Sequence, residues 1–187
     1  MKKISLFLLS SAIIIALSAP DGFGLQLGGK ELVKNGSGVR TKFVVGTIYY
    51  ASLWVTKNLQ GKSGKEIIEA NEPMSMFLTI DSKLITRERF VEATSEGFGK
   101  SAASGYATPK KKAFLDQFGK VKFSKGDIVY MNYTPAGLTT SYKYKEGGKM
   151  ETLGTIPGLD LKKALFAIWL GSTPIQESLK QALLAGK

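Results

Sequence analysis

An uncharged run, Phe43 to Val55 (FVVGTIYYASLWV), constrains this chain more than any other feature. It is filled with β-branched and aromatic residues, which suit a pleated, half-buried strand. It reads as one long strand, or as two joined by a bulge at Gly46. The turn-like stretch Asn35-Gly36-Ser37-Gly38 precedes it, and Arg40 stands at its entry. A guanidinium beside so apolar a run is costly unless it meets an anion or good acceptors. Arg40 is therefore either a structural clamp, bridging to Asp127, Asp160 or a backbone carbonyl, or the polar anchor of an apolar pocket.

The rest of the chain supplies partners for that strand. Leu25-Gln26-Leu27 and Glu31-Leu32-Val33 read as short strands, and Met74 to Ile80 as another with Met76, Leu78 and Ile80 on one face. Further strand signals cover Val121 to Phe123, Asp127 to Thr134, Ser141 to Tyr144 and Glu151 to Ile156. Pro135-Ala136-Gly137 and Gly147-Gly148 provide turn chemistry between them. Ser63 to Ala70 is expected to be a short amphipathic helix with Ile67 and Ile68 inward. Thr86 can cap a helix to about Ala103 whose inward stripe is Phe90, Ala93/Thr94 and Gly97/Phe98. Thr108-Pro109 reads as the start of a helix ending near Gly119. Asp160 is expected to cap a helix, Leu161 to Leu170, apolar nearly all round, and Thr173-Pro174 to open a last one to about Leu184. A β-meander with inserted and terminal helices implies an α+β fold, an antiparallel sheet covered on one side by helices.

The first residues read as an export signal. Lys2 and Lys3 precede an apolar stretch, Ile4 to Leu17, too short and wrongly flanked for a membrane span. Ala16-Leu17-Ser18 fits the cleavage rule, giving a leader of residues 1–18 and a mature start at Ala19; a cut after residue 24 is the alternative. One domain over residues 25–187 then remains, in a periplasmic or secreted protein. The net charge of +11 falls to +9 without Lys2 and Lys3. Such a balance favours anionic surfaces. Nucleic acid is not an expected partner after export; anionic lipid or an acidic ligand suits the charge, as does a plain lysine-rich solvated surface.

The sequence has no His and no Cys. That excludes disulfides, Ser-His-Asp and Cys-His triads, and metal sites built on imidazole or thiolate. The acids are scattered: Glu66, Glu69 and Glu72 read as a solvated helix face. No metal and no cofactor are expected. What remains is a basic group beside an aromatic-rich interior.

Three segments carry a family resemblance. NGSGVRTKF (35–43) with YYASLWV (49–55) resembles the N-terminal signature of chalcone isomerase-like proteins. TRERFVEATSEGF (86–98) is similar to the family's central helix, and GLDLKKALFAIWLGSTPIQESLKQALL (158–184) to its closing helices. The order and spacing resemble the exported bacterial branch most. The resemblance implies an open-faced β-sandwich, a large antiparallel sheet packed by helices, with a ligand cleft between them.

The family holds enzymes that cyclise chalcones, non-catalytic relatives and fatty-acid-binding proteins. Carried over by position, the enzymes' Arg is Arg40. Their strand Thr falls on Tyr49, or on Thr47 if the gap moves by two, both on the same sheet face. Their Tyr falls on Phe90, their Asn on Gly97 and their helix Thr on Ile168, beside Trp169. Phe90 and Ile168 cannot donate hydrogen bonds, and Gly97 leaves space but no polar group. The resemblance thus implies an apolar cavity with one cation, suited to a fatty acid or similar apolar carboxylate and leaning away from catalysis. Two alternatives stand beside it. One is an intramolecular lyase or isomerase using Tyr49, Thr47 or Tyr106. The other is a structural protein with a filled cleft, its core holding Phe90, Phe98, Ile168 and Trp169 and its basic surface docking on a membrane.

Overall fold

The computed structural model describes residues 24–186. The expected leader, residues 1–18, and the cleavage point after residue 18 lie outside the described residues. Seven strands form one sheet in chain order, each antiparallel to the next. They are β1 (Leu25–Leu27), β2 (Lys30–Lys42), β3 (Gly46–Thr56), β4 (Met74–Ile80), β5 (Ile128–Thr134), β6 (Gly137–Lys143) and β7 (Met150–Ile156). Among the described residues five α-helices accompany it: α1 (Gly64–Glu69), α2 (Arg87–Ala103), α3 (Lys111–Asp116), α4 (Leu159–Leu170) and α5 (Glu177–Leu183). This is the expected α+β meander.

The core follows the sequence periodicities. Met74, Met76, Leu78 and Ile80 of β4 and Leu53 and Val55 of β3 turn inward and are buried. They meet α4, which is buried from Leu161 to Leu170 apart from Lys163, as its apolar composition requires. Helix α1 is fixed by a capping box in which Ser63 and Glu66 satisfy each other's backbone N–H groups. Glu66 and Glu69 are exposed and Glu72 is half-buried; they pair with Lys62, Lys163 and Lys30.

Several local expectations are corrected. Asn35 to Gly38 is no turn: it lies inside β2, which pairs with β3 across a bulge between Lys34 and Gly36. The glycines are there because α5 presses on the strand. A Cβ on Gly36 would sit 2.3 Å from the Ala182 carbonyl oxygen, and one on Gly38 would sit 2.7 Å from the Ala182 Cβ. The reversal occurs instead at Phe43-Val44-Val45, the tip of the β2–β3 hairpin, where Lys42 pairs with Gly46. The strand read from Phe43 thus begins at Gly46. Val121 to Phe123 is not a strand but an irregular segment that places Phe123 against Phe90 and Phe118.

Helix α3 starts at Lys111, because Thr108 Oγ1 accepts the Lys110 N–H and donates to Asp160, holding the chain back by a turn; it ends at Asp116, short of Gly119. Asp160 does not cap α4, which begins one residue earlier. Its carboxylate instead ties Thr108 and Lys110 to the first turn of α4. Helix α5 begins at Glu177 rather than at Thr173-Pro174, since Gln176 is held extended by side-chain bonds to β2.

Candidate functional site

The end of β2, the start of β3, the segment 82–85, one face of α2 and the last turn of α4 enclose a cavity of about 570 Å³. That lies in the range of small-molecule pockets, about 300–1,000 Å³. Its inner wall is largely apolar, with Leu78, Ile85, Phe90, Ile168, Trp169 and Ile175. Lys42, Leu84, Arg89 and Lys100 line it too and are exposed, marking its rim.

Arg40 lines this cavity and is half-buried. Its Nη1 donates to the Thr41 carbonyl at 2.7 Å and to Gln176 Oε1 at 2.9 Å. Both hydrogens of that nitrogen are thereby used. The Nε and Nη2 hydrogens have no acceptor among the described residues, and Arg40 forms no ion pair there. Asp127 is engaged with Tyr142, Ser124 and Lys145, and Asp160 with Thr108 and Lys110. Neither acid reaches Arg40. Gln176 orients one half of the fork and leaves the other half unpaired.

Tyr49 sits directly across from Arg40 in the β2–β3 register. Its oxygen accepts the Trp169 indole N–H at 2.9 Å, which fixes the phenol. The phenolic hydrogen has no acceptor among the described residues. Burial pushes the Tyr49 hydroxyl up to about 12, against the opposing pull of the Trp169 hydrogen bond and the Arg40 charge. At neutral pH it is a hydrogen-bond donor and not a base. Arg40 and Tyr49 thus offer adjacent unsatisfied donors within an apolar wall.

Of the residues expected at the site, Arg40, Tyr49, Phe90, Gly97, Ile168 and Trp169 all line the cavity. Thr47 does not. Arg40 faces Tyr49 while Thr41 faces Thr47, so Ile48 is an extra residue, and this bulge breaks the alternation that would place Thr47 beside Tyr49. The space expected beside Gly97 is filled: a Cβ there would lie 2.8 Å from Ile168 Cγ2. Glycine lets α4 close on α2 instead of opening a pocket. Phe90 serves core and wall together, packed on Phe118 and Phe123 with ring centroids 4.8 and 4.7 Å away. The Thr94 hydroxyl is turned back to the Phe90 carbonyl at 2.7 Å and is not available as a donor to the cavity. The cationic rim was missed in the sequence reading, although Arg89, Ala93, Gly97 and Lys100 fall at helical spacing on the α2 stripe.

Comparison with known proteins fits this geometry. A family model described as chalcone isomerase-like matches residues 19–185. The chain belongs to the chalcone isomerase-like family. A solved structure of a fatty-acid binding protein from Arabidopsis thaliana shares the fold, with a TM-score of 0.65 at 15% identity, covering 82% of this chain and 86% of that one. No curated protein sequence matches the chain. Within the chalcone isomerase-like frame, the cavity occupies the expected place between sheet and helices.

Proposed function

We propose that this chalcone isomerase-like protein is an exported, non-catalytic binding protein for a fatty acid or a similar apolar carboxylate. The observation that carries the reading is the pair of unsatisfied donors, Arg40 and Tyr49, set in a cavity whose inner wall is largely apolar. A carboxylate placed there would accept from the free edge of the guanidinium and from the phenol. The alkyl chain would run along Phe90, Ile168 and Leu78. A charge-assisted hydrogen bond contributes about 1.5–3 kcal/mol and each buried methylene about 0.8 kcal/mol. Chain burial therefore supplies most of the affinity, and the cation sets the orientation. The structural neighbour is a fatty-acid binding protein, which points the same way.

The polar inventory supports binding over turnover. Cyclisation needs groups that stabilise a developing oxyanion; Phe90, Gly97 and Ile168 supply none, which leaves only the Arg40 and Tyr49 donors. Fluorescent fatty-acid titration and native mass spectrometry of the purified protein test the reading. Saturable binding at one site is expected, weakened by Arg40→Ala. Absence of binding in both assays removes it. Export is tested separately, by finding the mature chain outside the cytoplasm with residues 1–18, or 1–24, removed.

A further inference from the structure

The most exposed apolar side chains among the described residues are not scattered. Phe43 is 95% exposed and Val44 90% exposed, side by side at the tip of the β2–β3 hairpin. The same tip forms part of the cavity rim, since Lys42 and Val45 line the cavity. Leu84, 52% exposed, also lines the cavity, on the segment 82–85. Single exposed apolar residues are ordinary, but a cluster at the mouth of a cavity is not.

The backbone makes the choice of residues more pointed. Val44 has φ of 70°, in the left-handed region that a β-branched side chain rarely adopts. Gly, Asn or Asp would make this turn without strain. Strained positions that persist tend to carry function. Here a turn chemistry that costs stability keeps a Phe-Val pair in water.

Charge identifies what the tip meets. Lys42 and Lys83 adjoin the exposed apolar residues, and Arg89 and Lys100 continue the basic rim along α2. Glu92 and Glu96 also line the cavity, so the rim is mixed, but Lys42, Arg89 and Lys100 outnumber these acids. Aromatic and aliphatic side chains ringed by lysine and arginine match the interface of an anionic bilayer, where the apolar groups enter the headgroup boundary and the cations meet phosphate.

We propose that the Phe43-Val44 tip, with Leu84 and the surrounding basic side chains, docks the cavity mouth on an anionic lipid bilayer. This deepens the binding reading by giving the cavity a source or destination for its ligand, while the docking itself does not require an occupied cavity. The mouth faces the lipid when the tip inserts, and an amphipathic carboxylate can then pass between bilayer and cavity without crossing bulk water.

Co-sedimentation with phosphatidylcholine vesicles, with and without phosphatidylglycerol, tests the docking. The protein is expected to bind the phosphatidylglycerol vesicles, less so as salt rises. The F43S/V44S double variant is expected to lose about tenfold or more of that affinity. Both side chains are exposed and V44S relieves part of the strain at this turn, so thermal melting of the variant should match or exceed the parent. Arg40→Ala should keep vesicle binding while weakening fatty-acid binding; F43S/V44S should do the reverse, so the two readings fail separately. The chain has no Cys, which makes V44C a unique site for an environment-sensitive dye whose emission should shift to the blue on anionic vesicles. Equal vesicle binding by parent and double variant, or no blue shift, overturns the proposal. So does a tip that crosslinks to a protein while vesicles go unbound.

Discussion

Arg40 and Lys162 are both basic side chains set against apolar surroundings, and the protein treats them in opposite ways. Lys162 is wholly buried. Its three ammonium hydrogens go to the carbonyls of Ile67, Ile68 and Ala70 at 2.7, 2.8 and 2.7 Å. Those carbonyls close the last turn of α1, where a helix leaves acceptors without intrahelical partners and favours a cation. The rings of Tyr133 and Phe166 flank the ammonium at 5.5 and 5.8 Å. Arg40 has one nitrogen occupied and the remaining edge open to a cavity. Helix α4 connects the two settings: its first turn carries Lys162 in a filled core, and its last turn gives Ile168 and Trp169 to the cavity wall. Buried charge alone does not mark a site; unused hydrogen-bonding capacity does.

The strongest test of this contrast is Lys162→Met. The apolar volume is roughly retained, but three carbonyls lose their donor, and each unsatisfied buried acceptor costs about 1–3 kcal/mol. Urea unfolding should show a loss of about 3 kcal/mol or more, with fatty-acid affinity unchanged in the protein that remains folded. An unchanged midpoint would mean that Lys162 does not pin α1 to α4.

A pH titration sharpens the same point. Burial pushes the Lys162 ammonium down to about 7, with the Lys163 charge adding and Glu69 opposing. The unfolded chain keeps that proton up to the ordinary lysine value of 10.5. Between those values the unfolded state binds more protons, so stability rises with pH, and this contribution is lost as pH falls through about 7. No histidine or cysteine is present to titrate in the same window. The urea midpoint should be higher at about pH 9 than at about pH 6, and Lys162→Met should flatten the difference.

Arg40→Ala is expected to act elsewhere. Its two hydrogen bonds are at a half-open surface, so folding should lose only about 1 kcal/mol. Fatty-acid affinity should fall by about 10- to 100-fold, the equivalent of one charge-assisted hydrogen bond. A stability loss matching that of Lys162→Met, with affinity intact, would place Arg40 in the same structural class and dissolve the contrast.

How far these roles could be read from sequence depends on what each signal measures. The burial of β4 and α4 was legible, because periods of 2 and 3.6 record which face meets the core. Lys162 was legible in principle: it shares a helical face with Leu165, Phe166 and Trp169, and all are buried. The strand content of Asn35 to Gly38 was not, since glycine pairs read as turns unless the helix that crosses them is known. Nor was the place of the reversal. Phe43, Val44 and Val45 have strand propensity, and only the pairing of Lys42 with Gly46 puts them at a tip. At the site, the residue types lost from the enzyme pattern were visible. The filling of the Gly97 gap by Ile168 needed the packing of two helices, and the orientation of Tyr49 by Trp169 needed a contact between residues far apart in the chain.

The smallest expected effects separate two neighbours on β3. Tyr49→Phe removes the phenolic donor and leaves the Trp169 N–H without its acceptor. Ligand affinity should drop by about tenfold, the low end of the value of one hydrogen bond to a charged group, about 1.5–3 kcal/mol. Thr47→Ala removes a hydroxyl that the bulge at Ile48 keeps off the cavity wall. Its effect on affinity should stay within measurement error, and its effect on stability within about 0.5 kcal/mol. Isothermal titration of both variants with one fatty acid makes the comparison direct. Were Thr47→Ala to weaken binding as much as Tyr49→Phe, the bulge would not separate the two side chains in solution. The ligand would then reach past Tyr49 along the strand, and the polar end of the cavity would be wider than the Arg40–Tyr49 pair.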